Sequence, residues 1–338
     1  VLPGRALRFP QDSGAHPEFR TEWWYLTGTL QLPGAAHPHG FQITFFRSRV
    51  DADVAQGSRF ATRQLLFAHA ALTDLGEGRL RHDERIARQG FGIAEAKEGD
   101  TEVKLRDWRL SRRDDVSGAA QQSVYAAQLK AQGFGFDLQF TETQPLILQG
   151  KAGYSQKGPS PSQASHYYSK PHLTVAGRLQ TGGKTHTVQG TAWLDHEWSE
   201  ALLHPDAVGW DWIGMNLHDG GALTAFRLRR RDGSTLWTGG SWRTPKGQQT
   251  DLQGRLAWTP LRWWESPLTK ARYPVVWQVA TPAGRFVVQS RLDAQELDSR
   301  ASTGTVYWEG LSELLDERGQ AVGQGYLEMT GYAGALRL

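Results

Sequence analysis

Residues 22–32 read Glu22-Trp23-Trp24-Tyr25-Leu26-Thr27-Gly28-Thr29-Leu30-Gln31-Leu32. Side chains of an extended chain point alternately to its two faces, and here Glu22, Trp24, Leu26, Gly28, Leu30 and Leu32 share one parity. A period of two predicts a β-strand with one apolar face. A turn through Pro33-Gly34 to Gly40 leads to a second run, 41–47, in which Phe41, Ile43 and Phe45 share a face. The two runs predict a hairpin with a longish loop. Glu22 and Arg47 each continue an apolar face, so they are expected either to meet as a buried pair or to serve a cavity.

The same pattern fills the chain. Strands are predicted at Gln64–Leu72, Val103–Leu110, Ser123–Ala131, Gly135–Thr141, Leu173–Leu179 and Thr187–Leu194. Residues 83–96 fit either a short helix or an irregular crossing. Polar turns separate the strands, with no long helical period between them, which describes an antiparallel sheet or barrel. Residues 150–165 are rich in Gly, Ser, Lys, Pro and Gln and form a loop by composition, delivering His166, Tyr167 and Tyr168. Loops carry function on rigid scaffolds, although the tyrosines can equally pack a barrel mouth. After residue 212 nearly every segment again reads as a strand. Trp24 followed by Phe46-Arg47 is echoed by Trp212 followed by Phe226-Arg227, pointing to a duplicated opening hairpin.

At 338 residues the chain is long enough for two domains, expected at 1–190 and 191–338. Fourteen Trp and an aromatic share of 11% suit pocket walls. The formal charge is only +3, and the Arg-rich patches at 106–113 and 227–231 are interrupted by apolar or acidic residues, which speaks against nucleic acid as a partner. There is no Cys, which excludes disulfides and thiolate metal sites. No apolar run reaches the roughly 20 residues with which a helix crosses a bilayer, and association with a membrane surface stays open. The sequence opens on Val1, as expected of a chain that follows a removed or trimmed segment, a secretory signal being one candidate.

The densest chemistry lies at Asp195-His196-Glu197-Trp198 and Gly209-Trp210-Asp211-Trp212. In a strand Asp195 and Glu197 share one face, and His196 and Trp198 the other. Two ionised carboxylates so close repel, which is expected to raise the pKa of one and make it a proton donor near neutral pH. Asp211 shares its parity with Ile213, Met215 and Leu217, so its carboxylate points toward a core or a lined cavity. The alternative is that these acids are buried partners of Arg or of backbone N–H groups. Neighbours in a strand point apart, so Asp195, His196 and Glu197 cannot converge on a metal, and none is expected. Metalloprotease, nucleophile-elbow, phosphate-loop and dinucleotide motifs are absent.

The chain resembles the carotenoid 1,2-hydratase (hydroxyneurosporene synthase) family and the AttH-like lipocalin-type proteins often labelled secreted hydrolases. The resemblance is carried by Glu22-Trp23-Trp24-Tyr25-x-Thr27-Gly28, by 67–72 around His69, by Tyr167-Tyr168-Ser169, by 192–198 and 209–212, by Tyr307-Trp308-Glu309-Gly310 and by 325–332. It implies an all-β protein of two tandem lipocalin-like antiparallel β-barrels with a few short helices, and a pocket in or between them for a hydrophobic small molecule. It also implies cofactor-independent addition of water to an isoprenoid-like alkene and a location in the cell envelope, periplasmic or secreted. Motif match and strand position together make Asp195, Glu197 and Asp211 the acid and base candidates, with His196 and His69 as alternatives. Trp24, Tyr168, Trp210, Trp212 and Tyr326 form the expected aromatic lining. Glu22, Glu309 and Glu328 read as structural charges beside Arg, any one of which could face the pocket. A non-catalytic carrier and a hydrolase remain open beside the hydratase.

Overall fold

The computed structural model describes residues 1–50, 63–116 and 122–336. Within them the chain folds into two antiparallel sheets. The first takes β1 (Thr21–Gln31), β2 (His39–Arg49), β3 (Gln64–Asp74), β4 (Arg79–Arg88), β5 (Ala94–Ala96), β6 (Glu102–Leu105), β7 (Trp108–Asp115), β8 (Gln122–Ala131), β9 (Phe134–Thr141), β10 (Ile147–Leu148), β11 (Tyr154–Gln156), β12 (Ala164–Thr181) and β13 (Lys184–Ser199). The second takes β14 (Ala207–Leu217), β15 (Ala222–Arg230), β16 (Thr235–Arg243), β17 (Gln249–Asp251), β18 (Ala257–Glu265), β19 (Arg272–Thr281), β20 (Gly284–Ser290), β21 (Glu296–Ser299), β22 (Thr305–Leu315) and β23 (Ala321–Met329).

The first sheet is a nearly closed barrel. Its edge strand β4 reaches across the remaining gap: Asp83 accepts from the Gln132 backbone N–H at 2.9 Å, and the Arg85 guanidinium lies over Trp108, 4.7 Å from the ring centroid. Trp24, Leu26, Phe41, Ile43, Phe45 and Leu66 fill its interior. The second sheet encloses a separate core that includes Ile213, Met215, Trp277, Val288, Trp308 and Leu327.

Of the two readings of residues 83–96 the helix fails: 83–88 and 94–96 are strand, joined by an irregular turn at 89–93. The few short helices expected reduce among the described residues to one 3₁₀ turn, Gln11–Ser13. The changeover between sheets falls between Ser199 and Ala207, because β13 continues unbroken past residue 190 through the Asp195–Trp198 stretch.

Both sheets use one topology. The first strand pairs with the second and with the last, β1 with β2 and β13, and β14 with β15 and β23. Glu22 lies opposite Arg47 and Asp211 opposite Arg227. The duplicated hairpin is therefore real, but one residue out of the register read from sequence: Phe46 faces Trp23 and Phe226 faces Trp212. Trp212 thus corresponds to Trp23 and not to Trp24. A slip of one exchanges the faces of a strand, which decides which Trp enters a core and which leaves it.

Candidate active site between the barrels

The residues that β1 and β13 turn away from the first barrel meet those that β14, β22 and β23 turn away from the second. Cross-strand register sets out two rows. On the first sheet Ser169, Asp195, Tyr25, Thr44 and His69 stand side by side across β12, β13, β1, β2 and β3. On the second, Phe226, Trp212, Glu328 and Glu309 do so across β15, β14, β23 and β22. A cavity of about 260 Å³ lies between them, walled also by Trp23, Phe46, Trp210, Tyr307 and the leucines at 202, 203 and 336. That volume falls just under the usual range for drug-sized ligands, so it suits a compact molecule or the end of a longer one.

Asp195 is held by three donors: Trp193 Nε1 at 2.7 Å, the Tyr167 hydroxyl at 2.6 Å and the Ser169 hydroxyl. Burial pushes its pKa up to about 7 against those hydrogen bonds, and the charge of Glu197 adds to the rise. The expected direction holds, but desolvation leads and carboxylate repulsion contributes less. Glu197 is neutralised locally by Lys157 Nζ at 2.9 Å and by Ser165. The ammonium of Lys157 also sits 4.0 Å from the Phe226 ring centroid.

Glu309 and Glu328, expected as structural charges beside Arg that could face the pocket, do line it, and their opposition to each other was missed. Glu309 and Glu328 are direct cross-strand partners, which places their β-carbons about 5 Å apart. No ion pair to either occurs among the described residues. Glu328 accepts from Trp210 Nε1 at 2.9 Å, and its pKa is pushed up to about 7 by burial, with the charges of Asp195 and Glu197 adding to it. Burial and then the charge of Glu328 drive Glu309 well above the carboxylate range. Tyr25 lies close enough to moderate that rise, yet neither its hydroxyl nor Glu309 Oε1 meets hydrogen-bond geometry with any described group. A protonated Glu309 therefore faces the cavity with an uncommitted carboxyl oxygen.

The aromatic wall depends on one glycine. A β-carbon at Gly214 would lie 2.4 Å from the Trp212 indole and 3.1 Å from that of Trp193. The bare backbone is the seat on which Trp212 turns into the cavity. Its Nε1–H donates to the Tyr167 hydroxyl at 3.1 Å, joining it to the Asp195 network on the other sheet.

The AttH-like family model matches residues 1–332. The chain belongs to the AttH-like family. Its structure is similar to that of an AttH protein from Nitrosomonas europaea, with 46% identity, a TM-score of 0.89, and 98% of this chain and 99% of that one covered. Kievitone hydratase from Nectria haematococca shares the fold at 14% identity and a TM-score of 0.72, covering 99% and 94% of the two chains. CghA does so at 12% identity and a TM-score of 0.54, covering 99% and 96%. No curated protein matches the sequence.

Of the acid, base and histidine candidates in this AttH-like chain, Asp195, Glu197 and His69 line the cavity. Asp211 does not. It lies in the second barrel, bonded by Arg227 Nε at 2.6 Å and by the Tyr332 hydroxyl at 2.8 Å. His196 faces the first barrel, stacked on Trp24 with centroids 4.7 Å apart, its Nε2 2.9 Å from Glu22 and its Nδ1 3.0 Å from the Tyr168 hydroxyl. Among the aromatics Trp210 and Trp212 line the cavity, whereas Trp24 and Tyr168 belong to the first barrel's core. Tyr326 packs in the apolar seam between the barrels, outside the cavity lining.

His16, Glu22 and His196 offer ligand atoms within 4.8 Å of one another. Both imidazoles already bond Glu22 Oε1, and Arg47 Nε holds Oε2 at 2.8 Å. Burial opposes ionisation of Glu22, but hydrogen bonds from the two histidines keep its pKa below the usual range. The cluster is internally charge-balanced and keeps the expected Glu22–Arg47 pair inside the barrel.

Proposed function

We propose that the cavity binds a hydrophobic small molecule and adds water across one of its alkenes without a cofactor. Glu309, Glu328 and Asp195 would supply the proton chemistry. The observation that carries this reading is the opposed Glu309–Glu328 pair, free of any described cation in an aromatic cavity. Two carboxylates with pKa values driven apart make an acid and a base from one residue type. Glu309 gives its proton to the alkene carbon, and the π electrons form the new C–H bond. The cation left on the neighbouring carbon is stabilised by the faces of Trp212 and Tyr25 and by the negative charge of Glu328. Water then adds to it, and Glu328 takes the proton the water sheds. Asp195, fixed by its three donors, faces the same space as a further acceptor. The fold shared with kievitone hydratase is compatible with this chemistry, and the small cavity favours a compact alkene, or the end of an isoprenoid, over a wholly enclosed long polyene.

The hydrolase alternative has less support. His69 on the wall contacts Ser302 behind it, and the Ser302 hydroxyl proton is directed to Glu84. The backbone N–H groups of Ser302, Thr303 and Gly304 all donate to Ser299 O, leaving none of them for an oxyanion. The test is a panel of terpenoid and prenyl-phenol alkenes offered to the wild type and to Glu309→Gln. The expected result is product from the wild type alone with ligand affinity unchanged; product at an equal rate from both would contradict the assignment.

A further inference from the structure

At the end of the cavity away from Asp195, three strands along the same row, the wall contains a chain of hydrogen bonds that the proposed reaction does not use. Gln42 Nε2–H donates to the Tyr307 hydroxyl oxygen at 3.3 Å. That hydroxyl lies 2.8 Å from His69 Nδ1, while His69 Nε2 lies 2.8 Å from Ser302 Oγ. Ser302 in turn donates to Glu84 Oε2. One set of proton positions satisfies every link. Glu84 is the acceptor end, so Ser302 gives it a proton and must accept from His69 Nε2–H. His69 Nδ1 then accepts the Tyr307 proton. The chain runs from Tyr307 on the cavity wall to Glu84, whose side chain is 18% exposed while His69 is 2% exposed.

We infer that Tyr307, His69, Ser302 and Glu84 form a proton conduit through the cavity wall, connecting the Glu309–Glu328 pair with solvent. This inference rests on the acid–base reading of that pair. Tyr307 and Glu309 are on the same face of β22, two residues apart. A hydrophobic ligand filling the cavity closes it to bulk water, so the protonation state must be set through the wall. The step balances without a co-reactant. Glu309 makes no hydrogen bond to Tyr307, so one water held between them takes the Glu309 proton as it gives one to the Tyr307 oxygen, and the Tyr307 proton passes to His69 Nδ1. The Nε2 proton moves to Ser302, and the Ser302 proton moves to Glu84 and then to water. Each O–H or N–H bond broken is replaced by one formed, and the reverse passage restores the acid.

The surroundings of His69 suit a neutral relay. Phe46 from β2 meets its ring edge-on at 5.0 Å, and Tyr307 stacks at 5.8 Å. The ionisable groups around it are Glu84, 3.9 Å from Nε2, and His82. Burial and then His82 push its pKa down to about 3, so it passes protons by exchanging tautomers and does not store one. The conduit also spans both barrels, since Ser302 and Tyr307 belong to the second and His69 and Glu84 to the first.

Two measurements test this, the first on the ligand-free protein and the second with cyclohexane filling the cavity, so that bulk water does not reach the pair directly. Long-range nitrogen–proton NMR of labelled histidine should show His69 as the neutral Nε2–H tautomer; an imidazolium or Nδ1–H form near neutral pH would overturn the conduit. Rapid-mixing infrared spectroscopy into D₂O should follow exchange of the protonated carboxyl band that Glu309→Gln removes. Ser302→Ala should slow that exchange by about tenfold or more, and Ser302→Thr, which keeps the hydroxyl, should restore it. Equal rates in wild type and Ser302→Ala, with native melting temperatures, would overturn the conduit alone. Absence of the Glu309 band in the wild type would overturn both the conduit and the acid–base reading.

Discussion

Replacing Asp195 by Asn should change stability with a sign that depends on pH. Asp195 is 3% exposed, and burial lifts its pKa from 3.8 to about 7. Between those values the unfolded chain has released this proton and the folded chain has not, so the wild type loses stability as pH rises. At about 1.4 kcal/mol per pH unit, the loss comes to about 4 kcal/mol by neutral pH. The Asn variant escapes it but has its own defect. The Tyr167 hydroxyl already accepts from Trp212 Nε1 and donates to Asp195 Oδ2, and the carboxamide NH₂ cannot accept that proton. A buried donor left in this way costs about 1–3 kcal/mol. Asp195→Asn should therefore be the less stable protein below about pH 4 and the more stable one, by about 1–3 kcal/mol, above about pH 8. The comparison must be made at each pH, because His69 and His196, whose pKa values burial lowers to about 3 and about 4, contribute stability present above 6.5 and lost as pH falls. Urea midpoints with their slopes across this range provide the readout. Parallel curves for the two proteins would refute the raised pKa.

Three further outcomes are expected. Lys157→Met should destabilise the protein by about 3–5 kcal/mol by stranding Glu197, whose side chain is 7% exposed, and adding Glu197→Gln should recover much of the loss in urea titrations. Asp211→Asn should cost a similar amount by leaving Arg227 and Arg229 without their carboxylate, yet leave ligand affinity unchanged in calorimetry; a selective loss of affinity would return Asp211 to the site. Gly214→Ala should cost about 1–3 kcal/mol in overpacking and weaken ligand binding by displacing the Trp212 indole, both measurable through Trp fluorescence.

Much of the architecture was legible because a period of two survives without knowledge of partners. Alternation in 22–32 gives β1, and the same rule separates Asp195 and Glu197 from His196 and Trp198, the division that β13 displays. Alternation cannot say which face of a barrel strand meets a second barrel. Asp211, on an apolar parity with Ile213 and Met215, was compatible with a core or a cavity, and its place depends on Arg227 across the hairpin. Trp24 and Trp212 looked equivalent until register showed Trp23 to be the counterpart. Glu309 and Glu328 are separated by a turn of unread length, so only the pairing of β22 with β23 reveals that they oppose each other without an Arg between them. The conduit was least visible, since its residues come from three separate stretches of sequence, at 69, at 84 and at 302–307.

Water addition in the cavity between the barrels can be read out by native mass spectrometry after incubation with a lipid and isoprenoid extract, comparing wild type with Glu309→Gln. Both proteins should retain a bound molecule, and only the wild type should yield one heavier by the mass of a water. A bound molecule of unchanged mass in both would contradict it and make the protein a carrier.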